Sequence, residues 1–315
     1  MYPTKKSLLL SSVIIGASAL VIMALTSSET YSNQLITSPA DSRKATQESK
    51  DYWYDGTAEI TSYHLTQARY GELHEGTAVL VYVTEPYSPS YSTKADNSDP
   101  KNIPVLKLNK THKFNTGIYP YSMMNTTFFP FEGGAHSVKI STSAQEWCGM
   151  TYSEMINKGK SHFTFGLDSY FQGESYQNKT VNKTILEDDL WSLIRLNPEL
   201  LPVGDHSIIP SMFYQRLMHQ ETKAYQATAT LDQDDDGLSV YRLYYPALDR
   251  TLTLRYEGTF PHQVQSWEET YVSGFGPAKK KLTTLGTLNK TVKTDYWNRH
   301  DNKDGHWREK LGLDD

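Results

Sequence analysis

Between about residue 223 and residue 293 the chain alternates apolar and polar side chains with a period of two. In "KAYQATATL" Tyr225, Ala227, Ala229 and Leu231 fall on one face. In "TLTLRYEG" Leu252, Leu254 and Tyr256 oppose Thr251, Thr253 and Arg255. "VYRLYY", "HQVQSWEETYVSG" and "KLTTLGTLNKTVK" continue the pattern, and "DQDDDG", "PALDR", "TFP" and "FGPAKK" separate the runs. A period of two is that of a half-buried strand, and the separators carry turn residues. Short connections make successive strands antiparallel neighbours, so this region is expected to be a five-strand meander.

The front half has the same character, from "GTAEITSYHL" and "TAVLVYVTEPY" through "PVLKLNKTHKF" and "IYPYSMMNTTFF" to "SVKISTSAQ", "MTYSEMI" and "HFTFGLDSYF". About a dozen strands cannot lie in a flat open sheet without curling or splitting. The expected fold class is therefore mainly β: a curved antiparallel sheet, a partly closed barrel or a two-layer sandwich, with one or two helices packed on it. The 22 Tyr, 10 Phe and 6 Trp support this, because aromatics pack well on a pleated surface. One helix is expected in "TILEDDLWSLIRLNPELLP". There Leu186, Leu190, Leu193 and Ile194 share a face, Thr184 and Glu187 have capping-box spacing, and Pro198 ends the run. Glu187, Asp188 and Asp189 suit its positive N-terminal end. This helix is expected over one end or mouth of the sheet.

The N-terminus reads as an export signal. Lys5 and Lys6 precede residues 7–25, which carry no charge. A helix of that length spans ~28 Å, close to a bilayer core. Ala17-Ser18-Ala19 resembles a cleavage site, so both a cleaved signal peptide and a retained transmembrane anchor are consistent with the run. Either one exports the remainder. The expected organisation is a signal or anchor at 1–26, a flexible linker at 27–50, a single β-rich domain at 51–298 and a polar tail at 299–315. The membrane, contacted through residues 7–25, is thus an expected partner. The expected localisation is the exported side of the cell envelope, inner-membrane anchored or periplasmic.

Other classes are disfavoured. A net charge of −5 without a basic stripe argues against nucleic acid as a partner. A lone cysteine, Cys148, excludes an intrachain disulfide. No P-loop, dinucleotide fingerprint, G-x-S-x-G or H-E-x-x-H motif occurs, and no cofactor is expected.

At "YWYDGTAEITSYHLTQARYGELHEGTAVLVYVTEP", "FNTGIYPYSMMNTTFFP", "STSAQEWCG", "SWEET" and "TVKTDYW" the chain resembles a family of exported or lipid-anchored bacterial envelope proteins of unassigned function. The resemblance covers most of residues 52–297. Some members carry the label "septum formation inhibitor Maf", which implies a cytosolic nucleotide pyrophosphatase with an S-x-S-P-R-R-type loop near its start. No such loop occurs here. The resemblance implies an envelope location and no particular chemistry.

Three sets of residues are candidates for function. Counting by twos from Val138 puts Glu146 and Cys148 on the apolar side of a strand. Cys148 is then expected as a small core hydrophobe and Glu146 as an inward carboxylate, and these two are the catalytic candidates if the protein is a hydrolase or transferase. Asp232, Asp234 and Asp236 open like a calcium loop, but position twelve is Leu243 and the flanks are strands, so a hairpin with exposed acids is expected. Tyr119, Tyr121, Met123, Met124 and Trp147 are the candidate lining of an apolar cavity. The leading expectation is a non-enzymatic module that binds an apolar or lipid ligand or an envelope partner; a purely structural envelope factor is the other alternative.

Overall fold

The computed structural model describes residues 43–313, so the apolar run at 7–25 lies outside the described residues. In chain order the elements are α1 (Gln47–Trp53), β1 (Ala58–Arg69), β2 (Glu72–Ser88), β3 (Thr93–Lys94), β4 (Ile103–Thr116) and β5 (Tyr119–Pro130). Next come β6 (Lys139–Glu146), β7 (Gly149–Ile156), β8 (His162–Ser169), β9 (Gln177–Asn182), β10 (Ile185–Leu186) and α2 (Glu187–Leu196). They are followed by β11 (Gly204–Ile209), α3 (Met212–Met218), β12 (Tyr225–Gln233), β13 (Ser239–Tyr245) and β14 (Arg250–Tyr256). β15 (Val264–Ser273), β16 (Lys280–Thr294) and α4 (His306–Lys310) complete the described chain.

All described strands belong to one continuous sheet, so the sandwich alternative is not what forms. Its order is β10-β11-β12-β13-β14-β15-β16-β1-β2-β4-β5-β6-β7-β8-β9, with the short β3 paired to β2. Every pairing is antiparallel except β10 with β11. The expected meander is β12 to β16. The front half is a second meander, and β1 joins the two by pairing with β16 from Ala58↔Thr294 to Thr66↔Leu285. Tyr70 and Gly71, both with positive φ, close the two-residue turn between β1 and β2.

The two ends of the sheet, β9 and β10, are separated in sequence only by Lys183 and Thr184. Ends that close in the chain must also meet in space, so the sheet curls round on itself. It stays unclosed because β9 pairs only with β8, and β10 only with β11.

Side chains on the concave face form the main core, among them Tyr63, Leu65, Leu80, Tyr82, Leu108, Leu243, Leu254 and Trp267. Gly286, inside β16, makes room for Trp267: a Cβ there would sit 2.2 Å from the indole. Helix α2 runs through this interior rather than over an end, and nine of its ten residues are buried. The expected capping box does not form. The helix starts after Leu186 without a side-chain cap, and Thr184 donates instead to the Ser207 carbonyl.

A buried charge is tolerable only when paired. Glu187, at the first turn of α2, receives both guanidinium nitrogens of Arg250 on β14 at 2.6 Å and the Tyr245 hydroxyl at 2.7 Å. Arg195, in the last turn, makes a two-pronged pair with Glu59 on β1 at 2.6 and 2.7 Å and donates to the Pro261 carbonyl at 2.8 Å. Burial alone would raise both carboxyls. The facing arginines prevail and hold Glu59 and Glu187 below the usual carboxylate range. Acid at the N-terminal turn and arginine in the last turn also complement the helix dipole.

Two boundaries differ from expectation. The folded part reaches back past Asp51. Arg43 is buried against Phe129 and donates to the Pro130 and Gly133 carbonyls, and Thr46 caps α1. The short polar run before α1 is ordered because it supplies donors and a cap. The C-terminal segment is also folded. Asp301 and Asp304 form a capping box, Leu311 is buried, and the Ser62 hydroxyl donates to the Leu311 carbonyl. Its polar composition concealed one apolar anchor and a self-capped turn.

Removing Arg195 would strand Glu59 as an unpaired buried charge. Arg195→Met is expected to lower unfolding stability by about 3–5 kcal/mol, and a Glu59→Leu/Arg195→Met double variant by clearly less, since both charges then leave together. Urea unfolding of wild type and the two variants measures this; a double variant as unstable as the single one would show that packing, rather than the stranded charge, sets the cost.

Candidate functional site

Cys148 is exposed, which corrects the core expectation. The strand ends at Glu146, and Trp147-Cys148 form the two-residue turn of a hairpin closed by Glu146↔Gly149. Counting by twos fails at Cys148 because the chain reverses there. The Glu146 side chain does turn inward, only 2% exposed, 3.4 Å from Nη2 of Arg216. Its carboxylate, through a hydrogen bond and its charge, pushes the Cys148 thiol above its ordinary value. A nucleophilic cysteine needs the opposite influence.

The other candidates separate. Tyr121 and Met123 are buried on the concave face, and the Tyr121 hydroxyl lies 2.7 Å from that of Tyr70 and 3.3 Å from Nη2 of Arg69. Tyr119 joins this group through Tyr70 at 3.0 Å. Met124 points out from the opposite face, and Trp147 is exposed at the hairpin tip. The five thus do not line one cavity. Asp234 ties its own turn by accepting from the backbone N–H of Asp236 and Leu238 at 3.1 and 2.9 Å. Asp232 and Asp236 are exposed beside it. Among the described residues no group of three or more His, Cys, Asp or Glu side chains is placed to hold a metal.

The second and third acids of α2 build what the sequence reading missed. Asp189 accepts from the Ser137 backbone N–H at 3.2 Å. Asp188 accepts from the Ser211 hydroxyl at 2.7 Å and the Met212 backbone N–H at 3.0 Å, with Lys110 3.7 Å away. Burial nonetheless raises the Asp188 carboxyl. Asp188 therefore fixes the start of α3, where Ser211 also caps Phe213. On α3 the residues Met212, Gln215, Arg216 and His219 follow the spacing i, i+3, i+4, i+7 and so occupy one face.

That face roofs a cleft of about 220 Å³. Phe165, Leu167 and Met212 give it an apolar part; Thr142, Thr151 and Ser153 bring hydroxyls; Arg216 and Glu174 bring charge, and His219 an imidazole. The cleft lies on the β6–β8 side of the unpaired seam. Beside it Met212, Phe165, Val181 of β9, Leu186 of β10 and Ile209 of β11 form a separate core cluster. None of the five expected apolar-cavity residues lines this cleft. The signal for it lay in "PSMFYQRLMHQ", where Ser after Pro precedes a helical apolar spacing.

Further inside, His112 on β4 is buried between the rings of Phe213 and Trp267 at 4.8 and 5.8 Å. Its Nδ1 lies 3.3 Å from the Gln67 side-chain oxygen. Burial, reinforced by the Lys110 cation, lowers its pKa to about 3.

No family model matches the chain, and no curated protein matches it. Among solved structures, it is similar to a porin-like protein from Bacteroides uniformis, at 9% identity and a TM-score of 0.21 over 73% of this chain and 95% of that one. A likeness at that score carries no functional argument. Among the described residues no helix is long and apolar enough to cross a membrane.

Two measurements follow from this geometry. A thiol reagent should label Cys148 in the native protein almost as readily as in denaturant. The rise of the rate with pH should come at higher pH in the native protein than in denaturant, and Glu146→Gln should raise the rate near neutrality; strong protection of the native thiol would contradict the exposed turn. For His112 the folded pKa lies below the ordinary 6.5, so the folded state binds fewer protons than the unfolded one between those values. Its contribution is fully present above pH 6.5 and is lost as pH falls toward about 3. His112→Phe should flatten the decline of the urea midpoint between pH 6.5 and 4.5; parallel profiles for both proteins would contradict this assignment.

Proposed function

We propose that the chain is an exported cell-envelope module that performs no chemistry of its own and holds an apolar or lipid-derived ligand in the cleft beneath α3. The observation that carries the reading is the cleft itself. It combines apolar walls with a few convergent polar groups, the usual composition of a small-molecule site. Its size, below the ~300–1,000 Å³ of drug-sized pockets, favours a small ligand. The concave face also holds a far smaller hollow. Beside Trp191, Trp267 and Lys110 it leaves a cavity of about 20 Å³, room for one water-sized molecule. The uncharged run at 7–25 and the family resemblance support export. A hydrolase or transferase built on Cys148 or Glu146 gains no support, because the thiol is raised and the carboxylate faces Arg216.

The environment-sensitive dye N-phenyl-1-naphthylamine tests the cleft. Wild type is expected to bind it saturably with enhanced emission. Leu167→Trp and Ser153→Phe, which fill the cleft, are expected to weaken binding by about tenfold or more while circular dichroism stays unchanged. Absence of saturable binding, or filled variants that bind like wild type, would sink the reading.

A further inference from the structure

We infer that Arg216 is the receptor for a carboxylate head group on the ligand of this cleft, an inference that rests on the cleft being a binding site.

The other buried arginines show what a structural guanidinium looks like in this fold. Arg195 and Arg250 each place two nitrogens on one carboxylate and give Nε a further acceptor. Arg69 gives Nη1 to the Leu217 carbonyl and Nη2 to two tyrosine hydroxyls, with Nε unpartnered, and Arg43 leaves Nε and Nη1 unpartnered but gives Nη2 to two carbonyls. Arg216 is 8% exposed, yet its Nε and Nη1 have no acceptor among the described residues, and Nη2 has only the 3.4 Å contact with Glu146. Buried donors without partners are costly, which marks this group as incomplete.

The charged groups around Arg216 do not complete it. Glu146 also accepts from the Cys148 backbone N–H at 3.4 Å. Glu174 is committed to His219 Nδ1 and, at 3.0 Å, to the Ser169 hydroxyl. Burial, and after it the nearby Arg69 cation, lowers the pKa of Arg216. A second cation so placed favours an incoming anion. The Phe171 ring lies 4.8 Å from the guanidinium carbon and covers one face of the group, so an anion approaches in its plane, where a planar carboxylate accepts from Nη2 together with either Nη1 or Nε. Met212, Phe165 and Leu167 extend the cleft as an apolar channel for a short tail. The ligand class is thus a medium-chain amphipathic monocarboxylate.

Calorimetric titration of octanoate, octyl phosphate and 1-octanol into the full-length protein tests the inference, with Arg216→Gln and Arg216→Lys as variants. Wild type should bind octanoate about tenfold or more tighter than 1-octanol. Arg216→Gln should bring octanoate down to the level of 1-octanol; Arg216→Lys should recover part of the difference. Equal affinity of wild type for octanoate and 1-octanol, or no loss in Arg216→Gln, overturns the inference. Tighter binding of octyl phosphate than of octanoate overturns the carboxylate assignment and points to a phosphate head group. The dye separates the two levels: dye binding without discrimination against 1-octanol removes only the role of Arg216, whereas absence of dye and all three octyl ligands removes the cleft reading as well. If Arg216→Gln does not fold, the wild-type comparison of octanoate with 1-octanol and the Arg216→Lys titration still decide the matter.

Discussion

The two ionic clasps of α2 hold the rest of the structure in place. At one end Glu187 grips Arg250 on β14; at the other Arg195 grips Glu59 on β1. Between them the Tyr82 hydroxyl of β2 donates to the Trp191 carbonyl at 3.2 Å. One helix is thereby fixed to strands of both meanders across the concave interior. An apolar helix would fill the same volume, but its rotation and axial position would be free to slip. Paired charges at both ends admit one setting. Ion pairs of this kind contribute little net stability when compared with apolar replacements, and a role in specifying a single arrangement fits their position better.

The helix setting passes directly to the cleft. The residue after Glu187 is Asp188, whose carboxylate receives Ser211 and the first backbone N–H of α3. The position of Arg216 over the β6–β8 strands follows from that contact. Sequence neighbours in "EDD" thus serve two scales: the first acid registers the interior helix against the sheet, and the second registers the roof of the site against the helix.

Most of the sheet was legible because its strands have one buried and one solvated face, which writes the period of two into the sequence. What was missed lacked that asymmetry. β9 is largely exposed, and "GDHSII" in β11 carries apolar residues only at its end. α3 is short and rich in aromatic and Met residues, a composition that reads equally as strand. The error at Cys148 has a different origin. The Trp147-Cys148 turn contains no Gly, Pro, Asn or Asp, so nothing in its composition marks the reversal. Arg216 was invisible for a further reason: a single arginine in a helix looks like a solvated charge until the structure shows what surrounds it.

The pairing of β1 with β16 carries a consequence for how such a chain is assembled. The first and last long strands meet at the middle of the sheet, with registered partners such as Ala58 and Thr294 more than two hundred residues apart. Each meander grows from local hairpins, but the joint between them waits for the final strand to emerge. Until then β1 and β15 each offer a long unpaired edge, the kind of surface that recruits other chains. A C-terminal nick or truncation within β16 would therefore do more than shorten the sheet: it would return the molecule to two half-sheets with adhesive margins. A chain of this design has reason to complete its last strand under the protection of a chaperone.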